Sequence, residues 1–361
     1  MNNRLSKLRE MLALQELDVL LVSTPENRRY MSGFTGSAGY LLISAKDAVL
    51  ATDFRYIEQA QKQAPLFRIV RIGADLSWFP TILGEISAMK VGFEADDLTV
   101  AAYRSFEGSL NGISSSNRPS LLATTGIVEE LRSIKDKEEM ILLGDAINIG
   151  DKAFNQVVAS LEPGVTEREV AWRLERAIRE MGGDGLAFDT IVGAGPNGAM
   201  AHHMPTDRPI GSGEPVVIDM GAKVKGYHSD LTRTICLGEP TDTFHKVYDI
   251  VLGAQLTAIA TVEAGKTGEM GDALARKVIQ EAGYGESFGH GLGHGVGLVI
   301  HEHPRVSPTA QNVLQNGMVF TIEPGIYITG WGGVRIEDVV VLENGRARVI
   351  SNAAKVKKFG G

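Results

Sequence analysis

Four carboxylates, spread over two hairpin-like stretches, are the residues whose spacing points most directly to chemistry. VVIDMGAKVKGYHSDLTRT, residues 216–234, carries Asp219 and Asp230 between apolar, β-branched flanks. TIEPGIYITGWGGVRIEDVVVL, residues 321–342, carries Glu323 and Glu337 in the same style. Folding the first stretch about Val224–Lys225 sets Asp219 opposite Asp230, and folding the second about Gly330 sets Glu323 opposite Glu337. Like charges facing across a ladder destabilise it, and a carboxylate buried without a partner is more costly still. Solvated acids on an edge strand are the plain alternative. Two acid pairs in matching hairpins fit better with a shared cation, and two divalent ions would neutralise four carboxylates. Oxygen-rich ligation suits Mn²⁺ or Co²⁺ better than a thiolate-type zinc site, and paired metals can activate a water and clamp a displacement.

A histidine-rich segment lies between the hairpins. FGHGLGHGVGLVIHEHP, residues 288–304, contains His290, His294, His301 and His303, half of the eight histidines in the chain. Its glycines let backbone approach a site closely. At least one of these imidazoles is expected to ligate metal and others to serve the reacting group.

The elements that must hold these residues repeat. LEPGVTE at 161–167 returns as VEAGKTG at 262–268. Each copy precedes a helix ending in glycine, Gly182 or Gly283, and each is followed by a loop and then one of the hairpins. The pattern predicts two α+β halves about a pseudo-twofold axis. Ahead of the first copy, Met140, Leu143, Ile147, Phe154, Val157 and Leu161 mark an amphipathic helix from about Asp136 to Leu161. Thr166 and Glu169 have capping-box spacing for the next helix. Residues 1–125 read differently. Strand-like runs DVLLV, GYLLIS, AVLAT, RIVRI and KVGFEA alternate with helix-like segments such as FRYIEQAQKQA, an α/β pattern. SGFTGSAG, 32–39, reads as a loop. The domains expected are therefore 1–125 and 126–361.

Bulk properties exclude other classes. A chain of 361 residues suggests two domains, and a net charge of −8 argues against a nucleic-acid partner. The single cysteine, Cys236, sits in an apolar run and reads as a core residue of a protein from a reducing compartment. No signal peptide or membrane-spanning run is apparent, so a cytoplasmic location is expected. GAGPNG at 193–198 matches G-x-G-x-x-G, but Pro196 and Pro205 leave no helix to cap a pyrophosphate, and a nucleotide reading is set aside.

The contexts IDMGA, SDLTRT, GHGLGHGVGL-HE, TIEPGIY and VRIEDVV resemble the proline-specific pita-bread metallopeptidases, the Xaa-Pro aminopeptidases and Xaa-Pro dipeptidases (prolidases). The resemblance covers nearly the whole chain. It implies a C-terminal pita-bread domain, opening near LRSIKDKEEM, behind a creatinase-type α/β N-terminal domain. It implies metal ligation by Asp219, Asp230, His294, Glu323 and Glu337, with Asp230 and Glu337 bridging two divalent ions, Mn²⁺ foremost and Co²⁺ or Zn²⁺ as alternatives. Glu323 would also shuttle the proton. His202, His290 and His301 would orient the scissile carbonyl and stabilise its oxyanion, and Arg335 would support that shell. Thr232 could hydrogen-bond the attacking solvent, or simply pack. His203 stands where many relatives have glycine, and adjacent strand residues point oppositely, so one of His202 and His203 should enter the site. His203 and His303 are the lesser candidates.

The activity expected is an Xaa-Pro aminopeptidase acting on peptides with proline in second position, as a homodimer. Two alternatives stay open. Arg305, in HEHPR, lies where some dipeptidases read the substrate carboxylate, which would make the chain a prolidase. A non-catalytic peptide-binding protein of the same architecture is the other, and a creatinase-like amidinohydrolase is the rival within enzymes; both sit badly with five intact ligand positions.

Overall fold

A computed structural model describes residues 2–359 and divides into two compact units, Met1–Arg132 and Ser133–Gly361. In the first, all five strand-like runs form strands, at Val19–Val22, Tyr40–Ser44, Ala48–Thr52, Arg68–Arg71 and Lys90–Glu94. A sixth, Ser120–Thr124, joins them at the edge of one mixed sheet. Its half-exposed SLLAT pattern is too short to be told from a loop by periodicity. Helices pack on this sheet through Phe79, Leu83 and Phe106, which meet Val19, Leu42 and Val49 in one core. SGFTGSAG is a loop apart from its first residue, Ser32, which ends a helix.

The second unit carries the cluster of acids and histidines. Its first half has helix Lys137–Val158, helix Glu167–Glu180 and a sheet of Ile191–Ala194, Pro215–Met220 and Leu231–Leu237, with the short Lys358–Phe359 at its edge. Its second half has helix Asp242–Thr261, helix Gly268–Glu281 and a sheet built on Gly293–Gly295, Val319–Ile322 and Asp338–Glu343. Each half owns a core. Phe154, Leu174 and Ile218 belong to one, Phe244, Ile279 and Phe320 to the other. Each such side chain contributes about 1.5–3 kcal/mol by burial.

The repeat shows in matched hydrogen bonds. Gly164 N–H donates to Ile210 O as Gly265 N–H does to Leu314 O, and Ile210 N–H donates to Val165 O as Leu314 N–H does to Lys266 O. Helix starts follow the sequence signals. Asp136 accepts from Glu138 and Glu139 N–H and completes a reciprocal capping box with the Glu139 side chain. Thr166 accepts from Glu169 N–H, whereas the Glu169 carboxylate turns to Arg173. GAGPNG leads from a strand into a 3₁₀ turn, Gly195–Ala199, and no α-helix follows that could cap a phosphate.

One hairpin register differs from expectation. Asp219 pairs with Thr232, not Asp230, a shift of two residues. The turn centres on Lys225 and Gly226, both at positive φ (43° and 76°), inside the pair Val224↔Tyr227. That is the type I′ geometry, which matches strand twist and wants glycine second. Asp230 thus becomes a diagonal neighbour of Asp219 on the same face. In the second hairpin the expected register holds on both sides of the glutamates, at Ile322↔Asp338 and Gly325↔Arg335.

Candidate metal centre

Between those two ladders the strands part. Glu323 N–H donates to Leu292 O in the histidine segment, and Glu337 N–H donates to Thr232 O in the first hairpin. The acids therefore sit where the two halves of the unit exchange hydrogen bonds. They face a cleft of about 630 Å³ whose walls include Asp219, Asp230, Glu323, Glu337, His290 and His294. His202, His301, Arg305, Tyr327 and Arg335 line it as well, and Phe188, Ile191, Met204 and Ile300 add apolar lining.

Glycine makes the histidine segment possible. A Cβ at Gly293 would stand 1.9 Å from Thr321 O, and one at Gly295 would stand 2.0 Å from His303 O. His294 lies between them. Its backbone N–H donates to Thr321 Oγ1 at 3.1 Å, and its Nδ1 lies 3.1 Å from Gly295 O. The Nδ1–H donates to that carbonyl, and Nε2 faces Glu323 Oε1 at 3.2 Å and Asp230 Oδ2 at 3.5 Å. An imidazole nitrogen facing two carboxylates holds a proton or meets a cation there.

The electrostatics agree. Burial pushes the Asp230 carboxyl far above the ordinary aspartate range, and the charges of Glu337, Asp219 and Glu323 push the same way. Burial, then Glu323 and Asp219, raise Glu337 likewise. Burial also raises Asp219, against the pull of Arg335. Glu323 runs opposite: burial opposes its ionisation, but the hydrogen bond and charge of His294, with His290 and Arg335, hold it at about 2. Two carboxylate oxygens, Asp219 Oδ1 and Glu337 Oε1, are buried with no hydrogen-bond partner. Ligand atoms of Asp230, His294 and Glu337 all lie within 4.8 Å of one another. Orphaned oxygens, mutual repulsion and an imidazole nitrogen facing carboxylates fit a divalent cation. Asp219 and Glu323 border the same space outside that tight group.

Arg335 is the organising cation among the protein's own groups. It donates from Nη2 to Asp219 Oδ2 (2.7 Å), from Nη1 to the Tyr327 hydroxyl (2.8 Å) and from Nε to Thr232 Oγ1 (3.1 Å). The Thr232 hydroxyl in turn donates to Glu337 Oε2 at 2.7 Å. Thr232 thus aims a glutamate rather than presenting its proton to the cleft. Tyr327 was not singled out from the sequence. Its hydroxyl also meets His290 Nε2 at 2.9 Å. The signal was the glycines around it: Tyr327 pairs with Gly333, and a Cβ at Gly325 would stand 2.7 Å from the Tyr327 hydroxyl. Only a bare backbone there lets the ring fold back to Arg335.

The remaining histidines divide. Burial lowers His290, and partial desolvation, then His294 and Arg305, lower His301 to about 4, so His301 is neutral at ordinary pH. His301 packs edge-on against His294, with ring centroids 4.2 Å apart. His202 is exposed to the cleft, while His203 is buried against Glu167. His303 is exposed and outside the cleft lining. Cys236 is buried in its strand as a free thiol.

A cleft of this chemistry, set between two α+β repeats, defines a metal-dependent hydrolase of the pita-bread architecture. The model of metallopeptidase family M24 matches residues 142–344, and that of the Creatinase/Prolidase N-terminal domain matches residues 4–134. A solved structure described as an Xaa-Pro dipeptidase from Bacillus anthracis superposes with a TM-score of 0.94 at 41% identity, covering 99% of each chain. The Xaa-Pro dipeptidase of Pyrococcus furiosus is 37% identical over 97% of this chain and 98% of its own. A structure described as an X-Pro aminopeptidase from Thermotoga maritima has a TM-score of 0.87 at 34% identity, covering 96% of this chain and 98% of that one.

The chain belongs to metallopeptidase family M24, with a creatinase/prolidase-type N-terminal domain, and is a metallo-exopeptidase acting on peptides. No helix among the described residues is long and apolar enough to cross a membrane.

Proposed function

We propose that the protein is an Xaa-Pro dipeptidase, a prolidase, that works with two divalent metal ions, Mn²⁺ foremost. Similarity weighs toward this reading and away from the aminopeptidase expected from the sequence, because relatives described as dipeptidases lie on both sides of the comparison. The observation that carries it is the place of Arg305. An exposed guanidinium on the cleft wall beside His301 suits the free carboxylate of a two-residue substrate, which a longer peptide would not offer there. The aminopeptidase reading keeps one support, the Thermotoga maritima structure.

In this reading Asp219, Asp230, His294, Glu323 and Glu337 would hold the ions. When bound, the metals supply Lewis acidity and an acidified water. The protein supplies the rest. Glu323, held ionised beside His294, takes and returns a proton. His202 and His301 donate to the scissile carbonyl as charge develops on its oxygen, and neutral His301 does so without repelling the ions. His290 and Arg335 keep Tyr327 in register from either side of its hydroxyl. A peptide bond before proline has no N–H, and recognition through the metals and the carboxylate does not need one. The reading includes a homodimer in a reducing, cytoplasmic compartment, consistent with one buried thiol. Sedimentation would test the dimer.

The test is hydrolysis by Mn²⁺-loaded protein of an Xaa-Pro dipeptide and an Xaa-Pro-Xaa tripeptide in parallel, with products identified by mass. A prolidase cleaves the dipeptide and spares the tripeptide, and Arg305→Ala raises its KM. Release of the first residue from the tripeptide would reinstate the aminopeptidase.

A further inference from the structure

Each half of the catalytic unit seats one wall of the cleft on the first turn of its second helix. In the first half Glu167 N–H donates to Arg208 O (3.2 Å) and Arg168 N–H to Thr206 O (3.0 Å). In the second, Gly268 N–H donates to Asn312 O (2.9 Å) and Glu269 N–H to Ala310 O (2.8 Å). The capping threonines bridge in the same way, Thr166 to Pro209 and Thr267 to Val313. The first seat carries the His202 wall and the second the wall of His301 and Arg305.

The residue after each cap differs. Gly268 lets backbone meet backbone, since a Cβ there would stand 2.1 Å from Arg305 O. Glu167 fills the equivalent place with a carboxylate that is 0% exposed. Its Oε1 accepts from Ala194 N–H (2.9 Å) and Asn197 Nδ2 (2.9 Å). Its Oε2 accepts from His203 Nε2 (2.9 Å), Thr206 N–H (3.0 Å) and the Thr206 hydroxyl (2.6 Å). A carboxylate only accepts, so the His203 proton sits on Nε2. All five donors fall between Ala194 and Thr206, on both sides of His202. His202 itself stands exposed in a turn, where Arg335 Nη1 reaches Ala201 O (3.5 Å) and His203 N–H donates to Met200 O (3.1 Å) beside the Glu167 hub.

We propose that Glu167 and His203 are positioning residues that hold the His202 segment against the cleft. They touch no substrate; they act by fixing the backbone before and after His202. The inference rests on the reading of His202 as a carbonyl-orienting residue. Misplacing such a group by about 1 Å can cost about 100-fold in rate.

The test is a double-mutant cycle on full-length, Mn²⁺-loaded protein with an Xaa-Pro dipeptide. Glu167→Ala would remove the acceptor of five donors at once and risks misfolding, so the cycle uses His203. His203→Leu is expected to lower kcat by about 10- to 100-fold with KM little changed. His203→Gln, whose amide nitrogen replaces Nε2, should recover most of that loss. His202→Ala/His203→Leu should be no slower than His202→Ala alone. Amide exchange at Thr206 should quicken in His203→Leu while the core of helix Glu167–Glu180 keeps its protection. Additive losses in the double variant, or His203→Gln as slow as His203→Leu, would overturn the proposal. Normal turnover in His202→Ala would sink the reading of His202 and this inference with it, and that failure is seen in a variant that leaves the Glu167 hub intact.

Discussion

Arg335 and Asp219 join the two hairpins by a hydrogen bond of 2.7 Å, with their side chains only 4% and 14% exposed. The same guanidinium reaches Thr232, which holds Glu337, and Tyr327, which meets His290. One planar fork therefore sets two carboxylates and one imidazole. A lysine offers a point charge and cannot serve three acceptors in fixed directions. Arg335→Lys is expected to lose about 100-fold in kcat/KM, with metal content retained. Steady-state kinetics beside elemental analysis would check it, and a normal kcat/KM would contradict it.

Backbone approach at the histidine segment makes a second prediction. In Gly293→Ala the new methyl carbon meets Thr321 O at 1.9 Å, so one strand must move and His294 with it. Overpacking of this kind costs about 1–3 kcal/mol. Urea unfolding should show that loss, and Mn²⁺ affinity should fall in parallel because the displaced residue is a proposed ligand. Unchanged affinity would separate His294 from the metal.

Behind the His301 wall lies a buried ion pair. Lys135 Nζ and Glu302 Oε1 are 2.5 Å apart, with side chains 0% and 6% exposed. Removing one partner of such a pair leaves a charge uncompensated, at about 3–5 kcal/mol. Lys135→Met is expected to lose stability on that scale, and Lys135→Met/Glu302→Leu to recover part of it. A Lys135→Met protein with an unchanged unfolding midpoint would contradict this.

Acid sensitivity should report Glu167. Burial opposes its ionisation, but hydrogen bonds led by Thr206 and Ala194 outweigh that and hold the carboxyl below the ordinary value of 4.5. A depressed folded-state pKa adds stability that is complete above the unfolded value and is lost as pH falls through the folded one. Glu167→Gln, whose amide cannot accept from five donors, should be less stable than the parent at about pH 7 and closer to it at about pH 3. Melting temperatures across that range would check it, and a constant gap would contradict it.

Much of this was legible in residue types. The α+β repeat shows in two copies of one turn before two glycine-ended helices, and the second hairpin's register follows from the glycine at its tip. The first register slipped because Lys225 is not a residue one expects at positive φ, and Gly226 beside it was the clue. Tyr327 escaped because tyrosine in GIYI reads as strand packing; its role depends on missing side chains at Gly325 and Gly333, which pattern alone does not link. A buried hub such as Glu167 reads in the sequence only as the last residue of the repeated LEPGVTE. Its partners are far off in sequence, and only the folded chain brings them together.

The proposed chemistry requires that the buried carboxylates hold metal. The direct measurement is elemental analysis of protein loaded with Mn²⁺ and desalted, for the parent, Asp230→Ala and Glu337→Ala. About two ions per chain are expected in the parent, the number that neutralises four carboxylates and occupies a two-metal site, with loss of metal together with activity in either variant. Retention of both ions by either one would contradict a shared-ligand site.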